Sequence, residues 1–276
     1  MHFSLGAVRR MAGRCRRYVK GLLLRITDRA AGDSFPFWCP CCDLRLRDFA
    51  DGGFTRSPEL FDVRRYRQTD QRVVCPLCRS LPRHRILVSW MQEHLDEIRE
   101  DRILCFAQER CVRMWMDRNG LSCTTADYYK PADLKINIED TGLEGDSFDL
   151  IICNHVLEHV SDYQKALREL RRVIRPGKEI IVSFPVDPAY EGVWEDPSIT
   201  DESGRIRAFG QRDHLRVFGR DSRRMLEKLG FDVEEIRGED CDGRIKPVIG
   251  PADYDSNVLY LLRRREETPE SILKGQ

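Results

Sequence analysis

Hydrophobic positions along the chain follow two rhythms that change near residue 100. Val8, Met11, Cys15, Tyr18, Val19, Leu22, Leu23 and Ile26 recur every three or four residues, which predicts an amphipathic helix over residues 7 to 27. Leu87, Trp90, Met91, His94, Leu95 and Ile98 repeat that spacing and predict a second helix. Beyond Asp101 short apolar runs alternate with helical patterns: Ile103 to Phe106, Ser122 to Ala126, Phe148 to Cys153, Glu179 to Phe184, Val233 to Arg237 and Asn257 to Leu262. Such runs between helical stretches read as strands of an α/β sheet.

Punctuation residues agree with that rhythm. Asn119-Gly120 closes one helix, and Ser161-Asp162-Tyr163-Gln164 opens another as a capping box. The second of these turns Ala166, Leu167, Leu170, Val173 and Ile174 inward and stops at Pro176-Gly177. Asp221 caps a further helix that buries Met225, Leu226 and Leu229 and ends at Gly230. Between Gly32 and Arg85 no helical period is sustained, and Cys, Pro, Gly, Arg and aromatics dominate. Three segments follow: a basic helix in residues 1–31, a small loop-rich module in 32–85, and an α/β domain in 86–276.

Charge refines the picture without setting it. The 276 residues hold 46 Lys and Arg against 46 Asp and Glu, so the whole chain is no general polyanion binder. Residues 1 to 30, however, carry eight basic side chains against Asp28 alone. Their helix therefore has two open readings, an arm packed on the body or a surface for membrane or nucleic acid. No apolar run reaches the roughly 18 to 20 residues that span a bilayer, and Gly21 to Leu24 is too short for a signal-peptide core. A cytoplasmic location is expected.

Eleven cysteines, an odd number without an export signal, argue against a disulfide framework. Cys39-Pro40-Cys41-Cys42 and Cys75-Pro76-Leu77-Cys78 form two knuckles, each able to aim two thiolates at one point. Cys39, Cys42, Cys75 and Cys78 then make a tetrahedral zinc set with bonds of about 2.3 Å, structural because no position stays open for water. Cys41 could replace a neighbour in that register. Residues 61 to 85 hold seven Arg against two Asp, with Phe61 and Tyr66 interleaved, which suits nucleic acid or a plain solvated surface.

The segments FDLIICNHVLEHV (148–160) and RPGKEIIVSFP (175–185) arrive in order, separated by a capped helix. Here the sequence resembles class I S-adenosylmethionine-dependent methyltransferases of the type 11-like kind, over roughly residues 101 to 263. CPLCRSLPRHR and GQRDHLRVFG resemble a bacterial group of these with an N-terminal zinc ribbon built on four cysteines. The resemblance implies a Rossmann-like seven-stranded sheet, its last strand antiparallel, with S-adenosylmethionine as cofactor. It implies that Phe106, Ala107 and Glu109 form the turn beside the methionyl part. Asp127 would hold the ribose hydroxyls, Asn137 and Ile138 would flank the adenine, and Asn154 and His155 would face the sulfonium and the acceptor. Most members place glycines in the first turn, where this chain offers Ala107.

His155-Val156-Leu157-Glu158-His159 also matches an inverted zinc-peptidase pattern, but it begins at a strand exit instead of inside a helix. Asp213 and His214 are the preferred acid–imidazole pair for accepting a proton, with His155 as a further candidate. Residues 187 to 202 carry six acids (Asp187, Glu191, Glu195, Asp196, Asp201, Glu202), no Lys or Arg, and the aromatics Tyr190 and Trp194. They read as a wall favouring a small neutral or cationic acceptor. The expected function is methyl transfer to a small-molecule or glycan-type acceptor. An RNA methyltransferase using the ribbon, and a non-catalytic ribbon protein with a degenerate cofactor turn, are the alternatives.

Overall fold

The computed structural model describes residues 35–51, 72–247 and 258–265; the helix expected over 7 to 27, Phe61, Tyr66 and Asn257 lie outside them. The cysteine-rich stretch forms two antiparallel ladders, β1 (Phe37–Cys39) with β2 (Leu44–Leu46) and β3 (Ala50–Asp51) with β4 (Arg72–Val74). Helix α1 (Pro82–Glu93) follows, with proline where an unbonded first-turn N–H would otherwise sit. The expected continuation to Ile98 breaks at His94, and a single turn, α2 (Leu95–Ile98), carries on.

Then come β5 (Ile103–Phe106), α3 (Arg110–Arg118), β6 (Thr124–Ala126), β7 (Phe148–Asn154), α4 (Tyr163–Val173) and β8 (Ile174–Ser183). The chain continues through β9 (Val186–Asp187), β10 (Val193–Glu195), α5 (Glu202–Phe209), β11 (Arg216–Gly219), α6 (Ser222–Lys228), β12 (Phe231–Ile236) and β13 (Leu259–Arg264).

The main sheet has six strands in the order β12-β13-β8-β7-β5-β6. β6, β5, β7 and β8 run parallel, while β13 is antiparallel to both its neighbours, as expected for the last strand. Among the described residues the sheet has six strands where seven were expected, and beyond β6 the chain makes one parallel bridge, Ala126 to Leu134. Side chains have taken over the backbone there. Asp133 accepts from Thr125 N (2.9 Å), Asp127 from Tyr129 N and Lys130 N (2.8 and 2.7 Å), and Asn137 from Glu139 N (3.0 Å), so the segment turns repeatedly instead of extending.

Alternation along the strands divides the sheet's cover. Ile103 and Cys105 of β5 with Leu150 and Ile152 of β7 face one cluster, to which α1 adds Ile86, Leu87, Trp90 and Met91 and α3 adds Val112, Trp115 and Met116. The same cluster contains Cys39, Cys42, Cys75 and Cys78, so the knuckles share one core with the sheet. Leu104, Phe106, Ile151 and Cys153 face the opposite cluster, covered by Ala166, Leu167, Leu170 and Val173 of α4. The cap of α4 is Asp162, whose carboxylate accepts from Lys165 N (2.8 Å), one residue later than the box read from the sequence.

A second sheet, β10-β11-β9, grows from the segment after β8. Its anchor is the buried Arg216, which donates to the carbonyls of Leu157 (2.9 Å), Val160 and Ser161 (2.9 Å) and pairs with Glu195 (2.9 Å). That side chain ties the small sheet to the turn leaving β7.

Candidate functional site

In parallel sheets the carboxyl ends of the strands hold ligands, and here the two central strands end in the same unusual way. β5 runs into Ala107 at φ +47° and β7 into His155 at φ +53°, left-handed conformations that cost a side-chain-bearing residue about 1–2 kcal/mol. Neighbouring strands pin both turns: Ala107 N donates to Ala126 O (2.9 Å) and His155 N to Ser183 O (2.8 Å). Ala107→Gly should therefore leave stability unchanged or raise it by up to about 1 kcal/mol in urea unfolding. A clear loss would show that the alanine methyl is needed where it sits.

Glu109 closes the first turn, and its carboxylate is engaged on both oxygens. Arg83 reaches Oε1 at 3.0 Å, His84 Nε2 contacts the same oxygen, and Asn154 Nδ2 donates to Oε2 (2.8 Å). Ser183 in turn donates to Asn154 Oδ1. Burial alone would raise the Glu109 pKa, but the approach of His84 and the charge of Arg83 outweigh it and hold the carboxyl well below the usual range. Arg83 and His84 come from the first turn of α1, directly after the second cysteine knuckle, so CPLCRSLPRHR supplies part of this edge.

Phe106, Ala107, Glu109 and Asn154, with Leu87 and Ile152, line a hollow of about 230 Å³, open space included. The residues expected around the methionyl part thus gather at one place, but Glu109 and Asn154 spend their polar atoms on each other. Asp127, Asn137 and Ile138 are not in that lining. Asp127 follows β6 and Ile138 is buried against the opposite cluster. The donor set suits a nucleoside with a cationic end.

Next to it lies a histidine cluster around a buried carboxylate. Glu158 is 1% exposed; His155 Nδ1 stands 3.0 Å and His159 Nε2 3.9 Å from its Oε1. Burial would raise the Glu158 pKa, but the imidazoles of His155, His214 and His159 together outweigh it and hold the carboxyl at about 2. Burial lowers the His155 pKa, the Arg83 charge lowers it further, and its Nε2 has no hydrogen-bond partner among the described residues.

Asp213 and His214 meet different hydrogen-bond and ionic partners. The Asp213 carboxylate lies 3.6 Å from His159 Nδ1, whereas His214 Nδ1 meets Phe209 O at 3.1 Å. His214 packs edge-on against His159, with ring centroids 4.8 Å apart. Residues adjacent in an irregular segment send their side chains to different partners. His155 to His159 occupy a turn and not a helix, so the peptidase pattern lacks its helical platform.

The four knuckle sulfurs converge. Cys39 and Cys78 lie 3.6 Å apart, as do Cys42 and Cys75, and all four fall within 4.8 Å of one another, buried. Four sulfurs at about 2.3 Å from one centre would sit about 3.8 Å apart, so the set fits zinc. Cys41 stands outside it, its sulfur 3.6 Å from His84 O.

The wall of residues 187 to 202 carries less free charge than its composition suggests. Glu195 pairs with Arg216 and Glu191 with Arg220, while Asp187, Asp196 and Asp201 accept from Ala189 N, Ser198 N and Gly204 N. Tyr190 and Trp194 stack at 5.6 Å. In the arginine-rich stretch, Arg72 pairs with Asp48 at 2.8 Å. Arg85 is fully buried and donates to the carbonyls of Val73, Ser80, Ile245 and Lys246. Among the described residues no helix is long and apolar enough to cross a membrane.

Sequence reasoning did not assign roles to Arg83, His84 and Arg216. The first two were visible only as letters of a motif, and a buried arginine reads like a surface one until its carbonyl partners are known.

Residues 107–182 match the family model described as a methyltransferase domain. A PKS–NRPS hybrid synthetase, cheA, of Chaetomium globosum is 35% identical over 54 residues, which is 20% of this chain. The chain spans 1% of that curated relative's length. Among solved structures, an S-adenosylmethionine-dependent methyltransferase from Mesorhizobium loti is 18% identical, with 65% of this chain and 98% of that one covered and a TM-score of 0.46. One from Archaeoglobus fulgidus is 12% identical, with 66% and 94% covered and a TM-score of 0.44.

Proposed function

We propose that this chain, which carries a methyltransferase domain over residues 107–182, transfers a methyl group from S-adenosylmethionine to a small-molecule or glycan-type acceptor. The observation that carries the reading is that the matched segment spans the strand ends bearing Ala107, Asp127, Asn154 and His155. In this reading Ala107 and Glu109 border the amino-acid end, Asp127 takes the ribose hydroxyls, and Asn137 and Ile138 flank the base. Zinc on Cys39, Cys42, Cys75 and Cys78 braces the edge through α1.

When bound, S-adenosylmethionine supplies a methyl group on a sulfonium, and an acceptor hydroxyl or amine that takes it must give up a proton. His155 suits that proton. Glu158, 3.0 Å from Nδ1, favours the ring proton on that side, and the lowered pKa leaves Nε2 unprotonated near neutral pH. The stacked Tyr190 and Trp194 suit a small ring-bearing acceptor. The RNA-directed reading is weaker, because Arg72, Arg83 and Arg85 are spent on internal partners.

Calorimetry with S-adenosylmethionine and S-adenosylhomocysteine tests the cofactor directly, and micromolar dissociation constants are expected. Absence of heat at millimolar ligand would favour the non-catalytic alternative. His155→Asn should lower turnover about 100-fold or more while leaving cofactor affinity unchanged. Release of S-adenosylhomocysteine over a panel of hydroxylated small molecules and glycosides reports that turnover.

A further inference from the structure

Glu158 has two further histidine neighbours, His159 and His214, that proton transfer by His155 leaves unused. Glu158, His159 and His214 bring one carboxylate oxygen and two imidazole nitrogens within 4.8 Å of one another. Glu158 is 1% and His214 3% exposed, and neither Glu158 oxygen receives a well-directed hydrogen bond from the described residues. His155 Nδ1 stands 3.0 Å from Oε1, and a buried carboxylate that faces only imidazoles gains further from a metal ion among them.

The two histidines are prepared in the same way. His159 Nδ1 stands 3.1 Å from Asp213 O, and His214 Nδ1 stands 3.1 Å from Phe209 O. A backbone carbonyl against Nδ1 places the ring proton there and leaves the Nε2 lone pair as the donor. Metal-binding histidines are held in this manner by their outer partners.

The backbone carrying these groups is fixed independently of them. Leu215 N donates to Glu158 O (2.9 Å), and Arg216 binds the carbonyls of Leu157, Val160 and Ser161. The turn after β7 and the segment before β11 are thereby locked together, with Glu158 and His159 on one side and His214 on the other.

We propose that Glu158, His159 and His214 bind a divalent transition-metal ion, zinc in the first instance, through one carboxylate oxygen and the Nε2 atoms of both histidines. Two imidazoles and a carboxylate are a recurrent zinc set, and they leave a fourth position open to water or to an acceptor's oxygen or nitrogen. Bonds of about 2.0–2.2 Å draw the three donors inward from their present spacing, and the half-exposed His159 is the one free to move. The site is distinct from the cysteine quartet and does not depend on the methyl-transfer reading.

The test is metal stoichiometry of the full chain, read with cobalt(II) and zinc(II) as probes. The wild type should bind one equivalent more than His159→Gln or His214→Gln. The intense sulfur-to-cobalt absorption of the quartet should be the same in all three. Loss of one equivalent in the variants, with that absorption intact and circular dichroism unchanged, supports the site. Equal stoichiometry in wild type and both variants overturns it. His159→Gln, at a half-exposed position, decides the matter should His214→Gln fail to fold.

Discussion

Replacing Cys75 with serine is expected to cost the chain both the zinc proposed for its cysteine quartet and its cooperative unfolding transition. The quartet is no appendage: its four sulfurs sit in the cluster that also contains Ile103, Leu150 and Ile181 of the main sheet. Structural zinc contributes about 10–16 kcal/mol to small modules, comparable to the roughly 5–15 kcal/mol that holds a whole domain together. Removing one thiolate also leaves the other three buried without their counter-ion. Elemental analysis and thermal unfolding of Cys75→Ser measure the loss. Cys41→Ala is the control, since Cys41 is equally buried but lies outside the quartet, and it should keep the metal. A Cys75→Ser protein that melts at the wild-type temperature would remove the zinc reading.

Glu109→Ala should be the next most damaging change, at about 3–5 kcal/mol in urea unfolding, because it strands the Arg83 guanidinium and the His84 ring beside an unpaired Asn154 amide. The acid dependence follows from the same contacts. The Glu109 pKa lies below its ordinary 4.5 in the folded chain, so its stabilisation is fully present above that value and is lost as pH falls through the folded one. Wild type should therefore lose stability between about pH 5 and more acid conditions. In Glu109→Ala that part of the slope should be missing. Equal slopes in the two proteins would show that the carboxylate is not held by its neighbours.

Where the chain's own periodicity decided the outcome, sequence and structure agree. β5 lies where the apolar run from Ile103 predicts it, and the inward face of α4 carries the expected Ala166, Leu167 and Leu170. Both are set by local alternation or helical spacing. The Cys-x-x-Cys knuckles were equally legible, because two such pairs have few uses other than a shared ion.

What stayed hidden depends on contacts distant in sequence. β11 (Arg216–Gly219) is not among the apolar runs read from the sequence, since four residues carry no period and its pairing partners, Val193 to Glu195 and Val186 to Asp187, are themselves short. The wall of acids looked like an electrostatic surface because composition cannot show that Glu195 and Glu191 already face arginines. Asp213 and His214 looked like a dyad because they are adjacent, yet His214 answers to Glu158, 56 residues earlier by subtraction of their numbers. The turns beyond β6 are made by Asp127 and Asn137 side chains that bond nearby backbone, a local choice that hydrophobicity does not record.

The placement of β13 has a consequence for how the protein is made. It is the last described strand in the sequence, yet it lies inside the sheet between β8 and β12, and its Leu259, Leu261, Tyr260 and Leu262 serve both faces. A ribosome delivers β12 before any partner for it exists, and β8 meanwhile shows a bare rim of backbone donors and acceptors beside Ile180 to Val182. The sheet can close only once Arg264 has been released from the exit tunnel. Until then the nascent chain carries an adhesive edge, and chaperones that shield such edges should influence the yield of this protein more than its final stability.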